Sequence, residues 1–440
     1  MTTIERYVRP HKIPAALDLP PGPKLPSAVQ TILFLGLWPY VAPRWQRRYG
    51  DVFSVHTAPA GRGIVLTRPE HIREVFAGSA DAFHAGEGNA ILGPIMGQQS
   101  VLLLDEDAHR ESRRKVMAAF HGEAMRHWAG AVEQVAADDI ATWPLGVPFP
   151  VHPHLNDISL EVILRIVFGV TDARRLSEMR PLLGRLVRID PVIFVGWLYP
   201  ALQRVGPWRR FQGLKHHVDE LVYAEIADRR TVPDLNERRD VLSKLLVADP
   251  QQTDHELRDH LITLLLAGHE TTASTLAWIF HDLARRPDLL AKVQRAADDG
   301  NEEFLEAVVK EGMRLRPVIG SVARRLAKPT TVAGYDLPRG VVIYPSIQLV
   351  HRREDVFDDA TGFRPERFLG QNPPPATWIP FGGGIRRCLG ASLAMVESVG
   401  VLKTVLRLVE IAPAGPSEMS KTRNITTVPA RGARIVAFPR

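Results

Sequence analysis

The sequence predicts a mainly α-helical protein with small β-sheets, folded as one domain over residues 1–440. Apolar residues recur at helical spacing through most of the chain, whereas the β-like runs are short. One helical stretch, which starts at residue 253 and ends before Pro287, is long enough to cross the whole core at about 1.5 Å per residue. No linker, low-complexity block or internal repeat divides the chain, and this favours a single domain.

The composition is that of an ordinary globular protein. It is 45% hydrophobic and 24% charged, with a formal net charge of +6 and a sequence pI near 9.5. Arginines dominate the basic residues but form no dense run interleaved with aromatic side chains, so the pattern does not favour nucleic-acid binding. A single cysteine cannot form an internal disulfide, which predicts a cytoplasmic protein. We also expect a monomer.

The stretch 25–43 carries no charged residue and could be taken for a membrane anchor. Pro26, Pro39 and Pro43 interrupt it, and its apolar part is shorter than the roughly 20 residues that a spanning helix needs. It also lacks the order of basic, apolar and small residues that marks a signal peptide. We therefore expect a proline-rich entry followed by a buried first helix, with no membrane anchor.

The remaining elements follow in chain order. The β-like runs 51–56 and 64–67 are joined by a turn-rich segment, which predicts a hairpin. Amphipathic helices are predicted over 106–120, 124–143, 158–170 and 208–229. After the long helix, two shorter helices end at Gly300 and before Pro317, strands lie at 331–332 and 341–344, and a last helix covers 389–410.

Residues 83–104 lie between the early helices and are rich in Gly, Ile, Leu and Met. Glycine weakens a helix interior, and this stretch holds too many glycines for a regular helix. We expect it to form a loop that covers a substrate.

The only cysteine, Cys388, lies in the stretch Phe381-Gly-Gly-Gly-Ile-Arg-Arg-Cys-Leu-Gly390. A lone thiol can be an apolar filler, a nucleophile or a metal ligand. Consecutive glycines let the backbone bend closely around a flat group. Arg386, Arg387 and the start of the following helix favour the thiolate. Together these features point to an anionic sulfur aimed at an electrophilic centre.

This stretch resembles the haem-binding signature of the cytochrome P450 family, the haem-thiolate monooxygenases. The fixed positions of that signature are matched by Phe381, Gly384, Arg386, Cys388 and Gly390. The resemblance covers almost the whole chain. It implies the cytochrome P450 fold, a helix-rich triangular prism with a long central helix, together with haem b as the cofactor. It also implies that Cys388 is the axial iron ligand, whose electron donation favours O–O cleavage.

Within the long helix, Ala267 and Thr271 lie one turn apart on one face, with Gly268 and Glu270 between them. A helix crossing at small residues, with the threonine bonded to its own preceding turn, would give the same pattern. The stretch is similar to the family's Ala-Gly-x-acid-Thr motif. That similarity implies that Ala267 and Gly268 lie at the cofactor, that a distorted helix opens an oxygen pocket, and that Glu270 and Thr271 support proton delivery.

Glu311 and Arg314 are spaced to pair on one helix, and an exposed pair of this kind would carry little information. The resemblance implies that they form, with Arg367, a buried structural triad that supports the cysteine loop.

His109 and Arg113 lie four residues apart in a stretch that, taken alone, predicts a solvated charged helix. They are similar to the family's His-x-x-x-Arg pair, which binds the haem propionates. The resemblance implies that Arg386 shares this role, and the spacing of Arg324 before Gly334 makes it a further candidate.

The resemblance implies a monooxygenase that activates O2 and inserts one oxygen atom into a C–H or C=C bond. One alternative is a haem-thiolate peroxygenase that uses hydrogen peroxide, although such proteins typically lack the pair formed here by Glu270 and Thr271. The other alternative is a haem-based binding or sensing protein, which would need no proton relay.

The positions expected around the substrate are nearly all apolar, and none offers a charge. We therefore expect a lipophilic substrate such as a fatty acid, a terpenoid or a steroid. The candidates are Phe83, Ile91, Leu92, Met96, Ile193, Phe194, Leu264, Ala267, Val318, Ile319, Thr426 and Thr427.

The chain contains no strand followed by GxGxxG and a helix, so it carries no flavin or nicotinamide fold of its own. Electrons, ultimately from NAD(P)H, are therefore expected from a separate protein. The residues expected on the cysteine side are basic, namely Arg110, Arg114, Lys115 and Arg387. They suit a small acidic ferredoxin that is fed by a ferredoxin reductase. The alternative is that they only solvate the surface.

Overall fold

The computed structural model of the chain describes residues 18–58, 60–120, 123–170, 172–187, 193, 202, 204–371 and 373–440. Within these ranges helices dominate and the strands are short, which confirms the predicted class. The largest hydrophobic core joins buried side chains from Leu92 to Ala437, so both halves of the chain contribute to it.

The α-helices form most of the core. In chain order they are α1 (Ser27–Gly36), α2 (Trp38–Tyr49), α3 (Pro69–Ala77), α4 (Ala85–Gly88), α5 (Gly93–Met96), α6 (Glu106–Ala118), α7 (Glu123–Ile140), α8 (Val151–Ile166), α9 (Ala173–Val187), α10 (Gly206–Arg230), α11 (Val241–Ala248), α12 (Asp254–Leu283), α13 (Pro287–Asp298), α14 (Glu302–Leu315), α15 (Ile347–Val350) and α16 (Ala391–Leu408). In the described part of the chain, none of them is long and apolar enough to cross a membrane.

The strands are β1 (Val52–Thr57), β2 (Gly61–Leu66), β3 (Phe83–His84), β4 (Pro148–Pro150), β5 (Arg324–Leu326), β6 (Thr330–Val332), β7 (Tyr335–Leu337), β8 (Val342–Pro345), β9 (Val409–Pro413), β10 (Ser420–Arg423), β11 (Thr426–Pro429) and β12 (Arg434–Pro439). The largest sheet has the order β1-β2-β8-β5-β3, and β2 runs parallel to β8 with Gly63 opposite Val342. Smaller sheets have the orders β4-β12-β9, β6-β7 and β10-β11. The antiparallel pairing of β1 with β2 confirms the predicted hairpin.

The helix α12 begins at a capping box, as the sequence predicts. The Thr253 hydroxyl accepts from the Glu256 N–H at 3.2 Å, and the Glu256 carboxylate accepts from the Thr253 N–H at 3.1 Å. The helix then runs for 30 residues and packs against α8, α10, α14 and α16. Halfway along, Ala267 is exposed and Thr271 is half-buried. A short strip of this central helix is therefore not covered by protein.

The prediction of one buried first helix is wrong. Residues 25–43 belong to two helices, and in α1 only Gln30 is buried. Val29, Ile32 and Leu35 are exposed on its outer side. The absence of charged residues from a segment does not show how much of the helix surface the neighbouring elements cover, so it does not predict burial.

Other boundaries also differ from the prediction. The helix α8 starts at Val151 rather than at residue 158, because Pro153 lies in its first turn, where a proline costs little. The helices α3, α9 and α11 and the four-residue helices α4, α5 and α15 were not predicted, nor were most of the short strands. Residues 83–104 form β3 and the short helices α4 and α5 rather than a regular long helix, as expected from their glycines.

Candidate active site

The loop that carries Cys388 packs against α3. The Cys388 N–H donates to the Phe381 carbonyl at 2.9 Å, which closes the loop on itself. Gly384 has a φ of +64°, and a Cβ there would lie 2.1 Å from the Phe76 carbonyl oxygen. A Cβ on Gly383 would lie 2.2 Å from the Phe76 ring. These two glycines are therefore needed for the close approach of the loop to α3.

The Cys388 side chain has accessible surface, although protein atoms surround it closely. Burial raises the pKa of the Cys388 thiol, while the Gly390 N–H, Arg113 and Arg387 act in the opposite direction. The helix α16 starts just beyond, at Ala391, so the sulfur lies at a helix N-terminus as expected. Of the two arginines that precede the sulfur, Arg387 lowers the pKa of the Cys388 thiol, whereas Arg386 bonds to the segment before α6.

Arg386 instead extends to the segment before α6. Its Nη2 atom donates to the Leu104 carbonyl and to the Asp105 carboxylate, each at 2.5 Å. Asp105 was not singled out from the sequence, because a lone acid at the start of a helix looks like an ordinary dipole partner. The hydrogen-bond donors of Arg386 are nevertheless only partly used, since its Nε atom is buried and has no partner among the described residues.

Arg113, Arg324 and Arg386 form a cationic cluster beside the cysteine loop, and the uncharged His109 lies among them. Burial and the neighbouring arginines, Arg386 first, lower the pKa of His109 to about 3. Burial likewise lowers the pKa of Arg324 and of Arg386 to about 10. The His109 Nδ1 atom is buried and unpartnered within the described ranges. Such a cluster suits an anion, because it concentrates positive charge and leaves donors available.

The strip of α12 that protein leaves uncovered carries Thr271. Its hydroxyl donates to the Ala267 carbonyl at 2.7 Å. The helix is α-helical without interruption through this region, so the expected helix distortion is absent. Gly268 makes room, because a Cβ there would lie 2.8 Å from the Ile163 side chain of α8.

Glu270 is buried and is held by the β10–β11 hairpin. Its carboxylate lies 3.2 Å from the Arg423 Nε atom and accepts from the Asn424 Nδ2 atom at 3.2 Å. Burial raises the pKa of Glu270, and Arg423, Asn424 and Thr426 offset only part of that effect. Sequence reasoning missed Arg423 and Asn424, because no local motif marks them.

Glu311, Arg314 and Arg367 are brought together in the core. The Glu311 carboxylate accepts from Arg314 Nε at 2.7 Å and from Arg367 Nε at 3.2 Å. Arg314 also donates to the carbonyl of His351 at 2.9 Å. The His351 Nε2 atom accepts from the Ile379 N–H at 2.8 Å, two residues before the cysteine loop begins. The triad is therefore linked to the loop through His351, which the sequence did not indicate.

The substrate candidates fall into three groups. Those with accessible surface are Phe83, Ile91, Leu264, Ala267, Val318, Ile319 and Thr427. Those packed into the interior, with almost no accessible surface, are Leu92, Met96, Ile193 and Thr426. Phe194 lies outside the described residues. The Thr427 N–H donates to the Val318 carbonyl at 2.8 Å, and the Thr427 carbonyl accepts from Trp278 of α12 at 3.1 Å. Both positions are thereby fixed close to α12.

A surface cavity of about 480 Å³ lies between α6 and the cysteine loop. Its lining includes Arg110, Arg114 and the exposed Ile385. Arg387 is also exposed in this loop. Lys115 does not belong to this surface as expected, because it does not line the cavity and its ammonium group pairs with Asp249 at 2.9 Å and with Glu111 at 3.3 Å. Arg110 lines the cavity and is paired with the exposed Asp107.

Comparison with known proteins agrees with this arrangement. The family model described as "Cytochrome P450" matches residues 20–435. A protein of Mycobacterium tuberculosis that bears the name cytochrome P450 135A1 is 45% identical over 428 residues, which is 96% of this chain and 95% of that protein. One of Mycobacterium bovis, bearing the name cytochrome P450 135B1, is 44% identical over 432 residues, which is 96% of this chain and 92% of that protein.

Among solved structures, that of retinoic acid-bound cyanobacterial CYP120A1 superposes with a TM-score of 0.84. The superposition covers 97% of this chain and 100% of that chain. The sequence identity is 21%, a level that shows the fold alone. The match of the family model and the identity to the mycobacterial relatives go further. The chain belongs to the cytochrome P450 family, the haem-dependent monooxygenases, whose members bind haem b, use O2 and receive electrons from NAD(P)H through partner proteins.

Proposed function

We propose that the protein inserts one oxygen atom from O2 into a C–H or C=C bond of a lipophilic molecule, as a single-domain cytoplasmic monomer that receives its electrons from a ferredoxin. The observation that carries the proposal is the grouping of Cys388 with the cationic cluster. Arg113 belongs to that cluster and lowers the pKa of the Cys388 thiol. It also donates to the Arg387 carbonyl at 2.7 Å. The helix after Cys388, α16, also packs on α12.

The residues of this region fit haem b. A thiol at a helix N-terminus is a soft ligand for the iron, and it is the only thiol in the chain. The cationic cluster and His109 present the buried His109 Nδ1 and Arg386 Nε atoms, which have no partners among the described residues and can meet the propionates. Phe381, Gly384 and Gly390 would shape the loop around the ring, and Ala267 and Gly268 would face it from α12.

Bound haem supplies the redox-active iron that activates O2. The polypeptide supplies the protons. The Thr271 hydroxyl donates its proton to the Ala267 carbonyl, which leaves its oxygen free to accept a hydrogen bond at the uncovered strip. Glu270, the next residue back, keeps its proton to a higher pH than an ordinary carboxyl group because burial raises its pKa. Arg423 and Asn424 hold that carboxyl group in one position.

The lipophilic substrate class rests on the side chains near this strip. Leu264, Val318 and Ile319 are partly accessible and apolar, and they offer no charge to fix a polar substrate. We propose a fatty acid, a terpenoid or a steroid as the substrate class. Titration with a library of such molecules, followed by the Soret band, would identify which of them reaches the iron.

Electron delivery is proposed at the cavity between α6 and the cysteine loop. Arg110, Arg114 and Arg387 surround the exposed Ile385, which gives an apolar centre with a cationic rim. A small acidic ferredoxin, reduced by a ferredoxin reductase, has the complementary charge.

The assignment of Cys388 is tested by the spectrum of the reduced, CO-bound protein. We expect the red-shifted Soret band that thiolate ligation produces, and we expect Cys388→Ser to lose it. No other cysteine can take its place, so the comparison is clean. An imidazole-like carbonyl spectrum from the native wild type would contradict the assignment.

A further inference from the structure

One side of α1 is apolar, exposed and firmly held. Its exposed positions include Val29, Ile32 and Leu35, which follow one another at a spacing of three residues. Ile32 is 67% exposed and Leu35 is 57% exposed. Leu25 and Leu37, at the two ends of the helix, are exposed as well. We call these five residues the α1 patch. Isolated exposed apolar residues are normal, but a contiguous group indicates a contact surface.

The inner side of the same helix is anchored, so the patch is not a loose end. Gln30 is buried, donates to the Pro23 and Leu25 carbonyls and accepts from the His56 N–H at 2.8 Å. Phe34 packs against Trp38 and Tyr344, with ring centroids 4.6 and 5.1 Å away. The fold therefore holds α1 with its apolar outer side directed to solvent.

The chain segments that adjoin the patch carry several cations, and their nearest acids along the chain are Asp18, Asp51 and Glu418. The segments 19–50 and 419–440 include no Asp or Glu. Lys24 precedes the patch, and Arg44 donates to the Tyr40 carbonyl just after it. The Tyr40 hydroxyl is hydrogen-bonded to the backbone of Ser420, which brings the exposed Lys421 to the same region. A second copy of this chain would bring the same cations against these and would be repelled.

From this combination we infer that the α1 patch docks on the surface of a lipid bilayer that contains anionic lipids. An apolar face inserted at the headgroup boundary, with Lys and Arg around it, is the arrangement that peripheral membrane proteins use. Each cation beside an anionic membrane strengthens binding roughly five-fold. The contact is peripheral, because only one side of a ten-residue helix takes part.

The strand β10 joins the region of the patch to the acid of the candidate active site. The strand β10 contacts α1 and carries Ser420 at Tyr40, and three residues later it carries Arg423 at Glu270. At about 3.3 Å per residue, Ser420 and Arg423 are roughly 10 Å apart along β10. If the proposed function holds, a lipophilic substrate dissolved in the bilayer would therefore reach the protein on the side where the β10–β11 hairpin closes the site.

The test is sedimentation of the haem-loaded, full-length protein with vesicles of equal parts phosphatidylcholine and phosphatidylglycerol. We expect binding that weakens with added salt and that is much weaker on pure phosphatidylcholine. The triple variant Val29→Ser, Ile32→Ser, Leu35→Ser should bind more than about ten-fold more weakly, since it loses its apolar anchors. The double variant Leu145→Ser, Val147→Ser changes equally exposed apolar residues elsewhere and should bind as the wild type does.

Three results would overturn the inference. The wild type could stay in the supernatant, or the triple variant could bind as well as the wild type. Analytical ultracentrifugation could instead show a dimer that the triple variant dissociates, which would make the patch an interface between copies. Vesicle binding is measured without turnover, so a failed CO spectrum would remove the proposed haem ligand and leave this result standing.

Discussion

Thr271 and Thr275 are two hydroxyls on one helix that differ in their surroundings. Each donates to the carbonyl one turn earlier, at 2.7 and 2.9 Å, but Thr275 is buried whereas Thr271 borders the uncovered strip. We expect Thr271→Ala to bind haem and substrate normally and to divert most of its reducing equivalents into hydrogen peroxide, because protons lose their ordered route. The measurement is the hydrogen peroxide formed per NAD(P)H consumed.

The control for this prediction is Thr275→Ala. It removes the same kind of backbone hydrogen bond from the same helix, so it reports the structural cost alone. Coupling in this variant should stay near that of the wild type. The role assigned to Thr271 would be wrong if its variant kept full coupling, or if both variants released peroxide to the same extent.

Glu397 is a buried carboxyl group in α16 that the proposed chemistry does not use. It is bonded to the Ser159 hydroxyl, and burial raises its pKa to about 8 from an ordinary 4.5. Between these two values the folded protein holds a proton that the unfolded chain has released. Stability therefore falls as the pH rises through this window, by about 1.4 kcal/mol per pH unit from this group alone.

Replacing Glu397 with Gln should remove that pH dependence, because the amide mimics the protonated acid and has no charge to lose. The wild type and Glu397→Gln should unfold at similar temperatures near pH 5, and the variant should become progressively more stable as the pH approaches 8. Thermal unfolding at a series of pH values checks this. A gap that does not change with pH would show that Glu397 is ionised in the folded protein.

At this scale the sequence predicts the residues that carry a local motif and misses their distant partners. Glu270 and Thr271 belong to one short motif. Arg423 and Asn424, which hold Glu270, lie more than 150 residues further along the chain. Lys115 illustrates the converse, because it looks available in the sequence but is neutralised by Asp249, which lies just after the end of α11.

The helix α14 carries two ion pairs that differ mainly in burial. Glu311 and Arg314 are fully buried, whereas the pair of Glu306 with Lys310, at 2.7 Å, is partly exposed. We expect Glu311→Ala to lose about 3–5 kcal/mol of stability and to retain little haem, since it leaves buried arginines unpaired beside the link to the cysteine loop. Glu306→Ala should lose less than about 1 kcal/mol.

Haem content after purification and the denaturant midpoint together check this prediction. Equal losses in the two variants would mean that burial does not distinguish the pairs. Full haem retention in Glu311→Ala would show that the triad does not support the cysteine loop, despite the hydrogen bonds through His351.

Among the elements, those with strong local signals are predicted and those that depend on neighbours are not. The capping box predicts the start of α12 correctly. The boundaries of α13 and α14 follow from Pro287, Gly300 and Pro317. The outer side of α1 could not be predicted, because its exposure depends on what β1 and β10 cover. Short strands such as β5 carry too few residues to show a period of two.

The molecule as a whole is basic, and the surface around Ile385 uses that charge locally. We expect reduction by an acidic ferredoxin to slow as salt shortens the Debye length from about 30 Å at 0.01 M to about 8 Å at 0.15 M. Arg114→Glu should slow it further and leave substrate affinity unchanged. The rate of reduction measured by stopped flow under CO checks this.

The matched control is Arg174→Glu, which makes the same change in net charge at a highly exposed arginine of α9. The ferredoxin should reduce this variant at nearly the wild-type rate. Reduction rates that change neither with salt nor with either substitution would rule out this docking surface. The CO spectrum would still decide the haem ligand.

The cysteine loop is joined to parts of the chain made much earlier. Arg386 is bonded to Leu104, 282 residues before it, and Arg387 is bonded to Arg113, 274 residues before it. Contacts this distant along the chain cost loop-closure entropy and form late in folding. On the ribosome, the hydrogen bonds of Arg386 and Arg387 cannot form until the cysteine loop itself has been made and has left the exit tunnel. A nascent chain that holds α6 but not yet Cys388 would therefore bind no haem at the proposed site, so haem incorporation would report that synthesis has passed residue 388.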